Sequence, residues 1–444
     1  MHSMFMELKD LYEIFLAHPQ VTTDSRDVPA GSLFFALRGE TFDGNQYAKA
    51  SLEKGAAYAV VDDPALEGTP HVIVVPNVLE TLQQLAHYHR CQLGTTIVGI
   101  TGTNGKTTTK ELIAAVLKKK YRVHYTQGNF NNHIGVPKTL LQLTADHDIA
   151  VIEMGANHPG EIKTLVGIVH PDYGIITNVG KAHLEGFGSF EGVIRTKGEL
   201  YDFLRDDCGT VFINNDNPYL KDIAHDLPLV RYGQQPAPDL LVQGTFMACN
   251  PFLKFKWQQQ SSLPDSPSEV QTHLIGSYNL DNLLAAACIG TFFAVPANDI
   301  SAALSEYTPS NNRSQLTVTA DNQLVVDAYN ANPTSMAAAL ENFRLMEVEH
   351  KMAILGDMKE LGEVSQTEHK KVVETLLSSD FTQVWLVGEE FRKALAQFPD
   401  SANILTFNNV EEVKDYLPAH KPTGQTILIK GSNSTKLVQL VPCL

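Results

Sequence analysis

Gly99-Ile100-Thr101-Gly102-Thr103-Asn104-Gly105-Lys106-Thr107-Thr108-Thr109-Lys110-Glu111 follows an apolar, β-prone stretch at 96–100 and opens a helical pattern running from Lys106 to about Lys120. A strand, a glycine-rich turn and a helix start together make an anion site. Glycines let backbone N–H groups close around phosphate, and the unsatisfied N–H groups of the first helical turn point at the same charge. Lys106 adds a point charge for the β- and γ-phosphates, and the Thr107 hydroxyl is placed to ligate Mg²⁺. The spacing departs from the usual P-loop: Ile100 stands where that motif has glycine, and the glycines fall at Gly99, Gly102 and Gly105. The competing reading is a glycine-rich turn that merely starts a helix. The strand before it and the helix after it favour a nucleoside triphosphate site, with Gly102, Thr103, Asn104, Gly105, Lys106, Thr107 and Thr108 as its candidate residues.

The rest of the chain sets bounds. Its 444 residues exceed one core, and two to four domains are expected. A hydrophobic content of 43% with 19% charged residues is that of an ordinary globular protein. A net charge of −16 offers no broad basic face for nucleic acid or a membrane surface. Five scattered cysteines without Cys-x-x-Cys spacing indicate neither a disulfide framework nor a zinc knuckle. Residues 1–9 lack a basic segment followed by an apolar one, and no apolar run reaches membrane-spanning length. The expectation is a cytoplasmic protein with no membrane insertion, and nothing demands more than a monomer.

Strand and helix patterns alternate in three units, predicted as 1–93, 94–308 and 309–444. In the first, strands suit 33–37 and 57–61, and a helix suits 47–54. In the second, strands at 150–154, 173–178 and 210–214 alternate with helices, which argues for a largely parallel sheet covered on both faces. Between 229 and 275 the helical pattern stops. Alternating Leu253-Lys254-Phe255-Lys256-Trp257, with a polar Gln/Ser/Pro stretch after it, predicts an antiparallel ribbon on the sheet edge, and a helix over 279–293 closes the unit. The third unit has strands at 324–327, 353–356, 384–387 and 426–429, a second and smaller α/β domain.

Three polar clusters follow predicted strand ends. They are Gly128-Asn129-Phe130-Asn131-Asn132-His133-Ile134-Gly135-Val136-Pro137, Glu153-Met154-Gly155-Ala156-Asn157, and Thr177-Asn178-Val179-Gly180-Lys181-Ala182-His183-Leu184-Glu185-Gly186. Ligands of an open parallel sheet bind beyond the carboxyl ends of its strands. A carboxylate (Glu153), an amide and a histidine (His183) arriving there beside a P-loop is what a metal site needs, because Mg²⁺ accepts sparse protein ligation when phosphates and waters complete its shell. Singly, each has a bland reading: a glutamate after a strand is more often a cap or surface group. Either Asn131 or Asn132 could face the site.

These phrases, with Arg195-Thr196-Lys197-Gly198-Glu199, Asp327-Ala328-Tyr329-Asn330-Ala331-Asn332-Pro333 and Leu355-Gly356-Asp357-Met358-Lys359-Glu360-Leu361-Gly362, resemble the Mur ligase family of peptidoglycan synthesis along nearly the whole chain. The last two phrases resemble the members that add D-alanyl-D-alanine to UDP-N-acetylmuramoyl-tripeptide. The resemblance implies a three-domain α/β fold: a smaller N-terminal α/β domain that binds the UDP end of the substrate, a central P-loop ATPase domain with a parallel sheet, and a C-terminal Rossmann-like domain. It implies ATP as cosubstrate, two Mg²⁺ ions and amide-bond formation through an acyl phosphate. By resemblance, Lys106, Glu153, His183 and Lys197 are the catalytic group, with Thr107, Glu153, His183 and a carbamylated Lys197 on the metals. Asn279 and Asn282 match adenine-side residues. Arg313 and Asp327, with Tyr329 and Asn330 beside them, match ribose and phosphate contacts, and Ser25 and Arg26 match the uridine diphosphate element. The chain departs from the family pattern at His133, where aspartate is common, and at Asn433, where arginine is expected. The alternatives are another amide ligase of the superfamily, including a folylpolyglutamate synthase, and a non-catalytic nucleotide-binding regulator. The Asp327–Pro333 and Leu355–Gly362 phrases disfavour the other ligases. Joint retention of Lys106, Thr107, Glu153, His183 and Lys197 disfavours the regulator.

Overall fold

The computed structural model describes residues 6–260, 268–399 and 401–444. Most of the polar stretch after Trp257, and the first residues of the N-terminal segment read for a leader, lie outside them.

Three sheets organise the chain. The first is four-stranded and parallel, formed by Val21–Thr22, Leu33–Phe35, Tyr58–Val61 and Val72–Val74. The second has nine strands, and the P-loop strand Thr96–Thr101 lies in its interior between Ile149–Glu153 and Tyr173–Ile176, parallel to both. Successive residues of this strand face opposite sides, as strand geometry requires. Ile97, Ala150, Ile152 and Ile176 enter one apolar core, while Val98, Ile100, Val151 and Ile175 enter another. Both faces are therefore covered, and the strands read as near-continuous apolar runs. The third sheet has six strands, with Gln323–Asp327, Lys351–Gly356, Gln383–Val387, Ile404–Phe407 and Thr426–Lys430 parallel and Gln315–Val318 antiparallel at one edge.

The structure corrects two expectations. The P-loop helix spans Lys106–Leu117 and stops short of Lys120, because the last turn tightens: the Lys119 and Lys120 N–H groups bond three residues back, to the Val116 and Leu117 carbonyls. The edge ribbon is smaller than 229–275. Leu229–Gly233 pairs in parallel with Thr210–Asn214, since the helix Pro218–Ile223 between them supplies a crossover. Only Leu240–Cys249, Leu253–Gln259 and Ser268–Gln271 pair antiparallel.

The helix Val78–Gln92 ends the first unit and packs on the central one. Leu82, Leu85, Ala86 and His89 form an i, i+3, i+4, i+7 stripe that is fully or almost fully buried, and the three apolar residues share one core with Leu140, Ile162 and Val166. His89 Nε2 lies 2.8 Å from the Leu143 carbonyl and its Nδ1 3.1 Å from the Tyr12 hydroxyl. Arg90 donates to the Val169, His170 and Thr95 carbonyls and to Asp172.

Candidate active site

The P-loop backbone needs its glycines at two points. Gly102 has φ +144°, and a Cβ there would sit 1.9 Å from Thr177 Oγ1. Gly105 has φ +77° at the helix start, and a Cβ there would meet Asn282 Oδ1 at 2.7 Å. No side chain caps this helix, so its first N–H groups stay open for an anion. The loop is tied to the neighbouring strand end: the Thr103 N–H donates to the Asn178 carbonyl at 3.0 Å and the Asn104 N–H to Asn178 Oδ1 at 2.9 Å. Lys106 Nζ curls onto the loop, 2.9 Å from the Gly102 carbonyl and 3.2 Å from that of Thr103. Burial pushes the Lys106 ammonium down from its usual pKa, Glu153 opposes that shift, and Arg313 adds to it.

Glu153 is the hub beside the loop. Its side chain is buried, and the Thr107 hydroxyl lies 3.2 and 3.0 Å from its two oxygens. Asn131 Nδ2 donates to it at 2.9 Å. Asn131 is thus the amide that reaches the site, whereas Asn132 Oδ1 accepts from the N–H groups of Ile134 and Gly135. Lys110, absent from the residues expected from the sequence, is fully buried with Nζ 3.7 Å from Glu153 Oε2 and 3.3 Å from the Gly128 carbonyl. The available signal was its place one turn beyond Lys106 and three residues beyond Thr107, on the same helix face. Among the described residues no group of three or more His, Cys, Asp and Glu is arranged to hold a metal ion. One carboxylate and one hydroxyl side by side fit Mg²⁺, which takes its remaining oxygens from phosphates and water, and do not fit a closed zinc site.

His183 stands on the far side of the loop, in the left-handed region at φ +49°. Its Nδ1 contacts the Glu360 carboxylate, which arrives from the third unit. Burial lowers the His183 pKa, Glu360 opposes the shift, and Lys106 and Lys197 reinforce it. Lys197 is buried, with Nζ 3.3 Å from the Ala156 carbonyl and 5.3 Å from the centre of the Phe187 ring. Burial, then the Lys106 charge, holds its pKa well below the usual lysine value.

The two asparagines of the helix Asn279–Phe292 are both buried: Asn282 Nδ2 donates to Asn279 Oδ1, and Asn279 Nδ2 donates to the Ile275 carbonyl, each at 2.9 Å. Across from them the Arg313 guanidinium lies 3.9 Å over the Tyr329 ring, and its buried Nε has no hydrogen-bond partner. Asp327 accepts from Lys430 Nζ at 2.7 Å, and the same ammonium reaches the Asn330 carbonyl at 3.1 Å. Lys430 was likewise not singled out in the sequence.

One cavity of about 1060 Å³ joins most of these groups, running from the P-loop between the second and third sheets, while Thr107, Lys110 and Lys197 are not among the residues that line it. Lys106, Glu153, His183, Asn279, Asn282, Arg313, Asp327, Tyr329 and Asn330 all line it, as do His133 and Asn433, where the chain departs from the family pattern. Ser25 and Arg26 lie outside it. Arg26 is exposed and doubly hydrogen-bonded to Asp24 at 2.9 and 2.8 Å, and those bonds hold the Asp24 carboxyl down at about 2.

Known proteins resemble this chain along nearly its whole length. Models of the Mur ligase family catalytic domain, the Mur ligase middle domain and the Mur ligase glutamate ligase domain match residues 19–90, 100–290 and 312–433. The UDP-N-acetylmuramoyl-tripeptide–D-alanyl-D-alanine ligase of Bacillus subtilis is 35% identical, over 96% of this chain and 94% of its own. A crystal structure of MurF from Acinetobacter baumannii superposes with a TM-score of 0.84 at 29% identity, covering 95% of this chain and 92% of that one. The MurF ligase of Thermotoga maritima in complex with ADP gives 0.83 at 26% identity, with 96% and 97% covered.

Proposed function

Because the chain belongs to the Mur ligase family, we propose a division of labour among its residues for one reaction. The protein is an ATP-dependent ligase that joins D-alanyl-D-alanine to UDP-N-acetylmuramoyl-tripeptide and completes the pentapeptide precursor of peptidoglycan. The observation that carries the residue roles is Glu153, bonded by Thr107 and Asn131 beside an uncapped P-loop helix and facing Arg313 and Tyr329 across a single cavity.

ATP lies along that cavity. The amides from Gly105 to Thr108 and the Lys106 ammonium take the β- and γ-phosphates, once Lys106 leaves the loop carbonyls it touches, while Thr103 and Asn104 hold the loop to Asn178. Asn279 and Asn282 face the adenine. Arg313, Asp327, Tyr329 and Asn330 take the ribose and phosphate side, and the partnerless Arg313 Nε supports this because a buried donor needs an acceptor. Thr107 and Glu153 hold one Mg²⁺, and His183 with a carbamylated Lys197 holds the second. Carbamylation needs the neutral amine, which the dry surroundings of Lys197 favour. The two ions supply charge neutralisation for the transferring phosphoryl group.

The tripeptide carboxylate forms a bond to the γ-phosphorus as the bond to the bridging oxygen breaks and ADP leaves. The amine of the dipeptide then attacks the acyl phosphate carbon, phosphate departs, and the amine nitrogen gives up its proton. Little covalent work falls on the protein, so positioning and charge neutralisation carry the acceleration. Water must be kept from the acyl phosphate, which a third domain closing on the cavity achieves. The unit 1–93 takes the UDP end through Ser25 and Arg26, freed from Asp24. Units 94–308 and 309–444 supply the two halves of the nucleotide site. The protein works as a cytoplasmic monomer in this reading. No helix among the described residues is long and apolar enough to cross a membrane.

The test is phosphate release from ATP with Mg²⁺ and UDP-N-acetylmuramoyl-tripeptide, with and without D-alanyl-D-alanine. Release that needs the dipeptide, with a product of pentapeptide mass, is expected; release indifferent to it overturns the assignment of the acceptor. In the same assay Lys197→Ala should lose roughly 10²-fold or more, the scale for removing one electrostatic stabiliser. A short-chain carboxylic acid should restore part of it. Full activity without rescue would remove Lys197 from the metal site.

A further inference from the structure

The acceptor of this reaction is a zwitterion, so its site must offer one anion and one cation that keep an oxygen or ammonium open to the cavity. Five carboxylates line the cavity, and four are committed. Glu153 is held by Thr107 and Asn131, and Asp327 by Lys430. Glu161 accepts the N–H groups of Asn157 and His158, and Asp281 accepts from Gln234. Glu360 is the fifth; its carboxylate meets a histidine and is half exposed. The cavity cations sort in the same way. Lys106 belongs to the phosphates, Arg313 stacks on Tyr329, and Lys430 is paired with Asp327. Lys359 remains, half exposed, with its only carboxylate neighbour 3.9 Å away at Asp357. That neighbour is already occupied, because the Asp357 oxygens accept the N–H groups of Glu390 and Phe391 at 3.0 Å each.

The loop that carries this pair is rigidly placed. Asp357 anchors it to the start of the helix Glu389–Leu395, and the Met358 N–H donates to the buried ring of His369 at 3.1 Å. Glu360 sits in the left-handed region at φ +59°, a conformation that costs free energy in a residue with a side chain and persists only where surrounding contacts enforce it. One such contact is the Glu360 carbonyl, which accepts the Glu185 N–H at 3.1 Å across the cleft. The Glu360 side chain thereby reaches His183 Nδ1, and Lys359, Glu360 and His183 line the same cavity as Lys106 and Glu153.

From this elimination and geometry we infer that Lys359 and Glu360 form the charge clamp for the acceptor dipeptide, Glu360 holding its ammonium group and Lys359 its carboxylate. The inference rests on the ligase reading above and names residues within it.

Steady-state ligation by the full-length protein tests it, with D-alanyl-D-alanine and its C-terminal amide as alternative acceptors. The native enzyme should prefer the free dipeptide by roughly tenfold or more, the scale of one charge-assisted contact. Lys359→Met should abolish that preference by losing on the free dipeptide alone. Glu360→Gln, which keeps an acceptor for His183, should raise KM for both acceptors by about tenfold and KM for ATP by clearly less. Glu360→Asp, which keeps the charge, should fall between the two. The clamp is overturned if Lys359→Met keeps the preference, or if either variant shifts KM for ATP and for the dipeptide equally. A native enzyme that joins neither acceptor overturns the ligase reading itself, and the clamp with it.

Discussion

The two seams of this molecule are built from different materials. Where the first unit meets the central one, the stripe Leu82, Leu85, Ala86 and His89 enters a core shared with Leu140, Ile162 and Val166, and Arg90 is tied down by three carbonyls and Asp172. Where the central unit meets the third, Ile275, Leu184 and Phe252 pack on the third unit's core, and around them lies a set of side-chain amides and charges. Asn104 and Asn332 exchange amide hydrogen bonds at 2.7 and 3.4 Å, and the Lys181 N–H donates to Thr334 Oγ1 at 3.0 Å. The Ser277 N–H donates to Asn342 Oδ1, and Lys181 Nζ lies 3.4 Å from Glu368. Opening an apolar seam exposes surface at about 25 cal/mol per Å². Opening a polar seam exchanges protein partners for water at a net of about 0.5–1.5 kcal/mol per bond. The cavity lies on the polar seam, where substrates can enter and a domain can move. The apolar seam fuses the other two units into the platform it moves against.

If that contrast is right, the largest stability loss comes from the apolar side. Leu85→Ala should destabilise the protein by about 2–5 kcal/mol, the range for deleting a fully buried leucine. Urea unfolding measures it, and kcat of the folded fraction should stay near native. A loss below 1 kcal/mol, or a loss of activity at unchanged stability, would break the distinction between the seams. A second probe uses His89. Burial in the apolar seam lowers its pKa, opposed by its hydrogen bond to Leu143. The folded value therefore lies below the unfolded one of about 6.5, so the unfolded chain binds the proton more readily. Stability from this residue is held above pH 6.5 and lost as the pH falls below it, at no more than about 1.4 kcal/mol per pH unit. Unfolding free energies of the native protein and His89→Gln, compared between pH 7.5 and 5.5, should differ in slope in that sense; parallel curves would count against it.

The same contrast explains what the sequence conveyed. Unbroken apolar runs are local signals, so the strands flanking Thr96–Thr101 and four of the six in the third sheet were legible, whereas the short edge strands Val123–Tyr125, Gln315–Val318 and Ile404–Phe407, which carry weaker apolar runs, were not read. The pairing of Leu229–Gly233 was not legible either, because parallel or antiparallel partnership is chosen by the crossover and not by the strand's own residues. The P-loop was legible for a related reason: its glycines, Lys106 and Thr107 are consecutive. Lys110 and Lys430 were missed since their partners, Glu153 and Asp327, lie 43 and 103 residues away, and a lysine carries no mark that it will be buried. Asn131 and Asn132 are adjacent and chemically identical, and only the turn at Ile134 and Gly135 decides which one is spent on the backbone. The Ser25–Arg26 element was legible as a motif but not as a place, because the structure puts it outside the cavity.

The smallest expected effect is the most discriminating. Asn332 has two jobs: Oδ1 caps the helix Pro333–Leu345 by accepting the Ser335 N–H at 2.9 Å, and Nδ2 donates across the polar seam to Asn104 on the P-loop. Asn332→Asp keeps an acceptor for the cap and removes the donor to Asn104, whereas Asn332→Ala removes both. Loss of the cap should cost Asn332→Ala about 1 kcal/mol. Asn332→Asp should stay within about 0.5 kcal/mol of native in urea unfolding, because a carboxylate caps as well as an amide. Its effect should appear instead as a larger radius of gyration in small-angle X-ray scattering without nucleotide, since one of the bonds that hold the third unit to the P-loop is gone. If Asn332→Asp unfolds more easily yet keeps the native radius, the polar seam is structural in the same way as the apolar one, and the platform-and-arm division fails at the point where it was drawn.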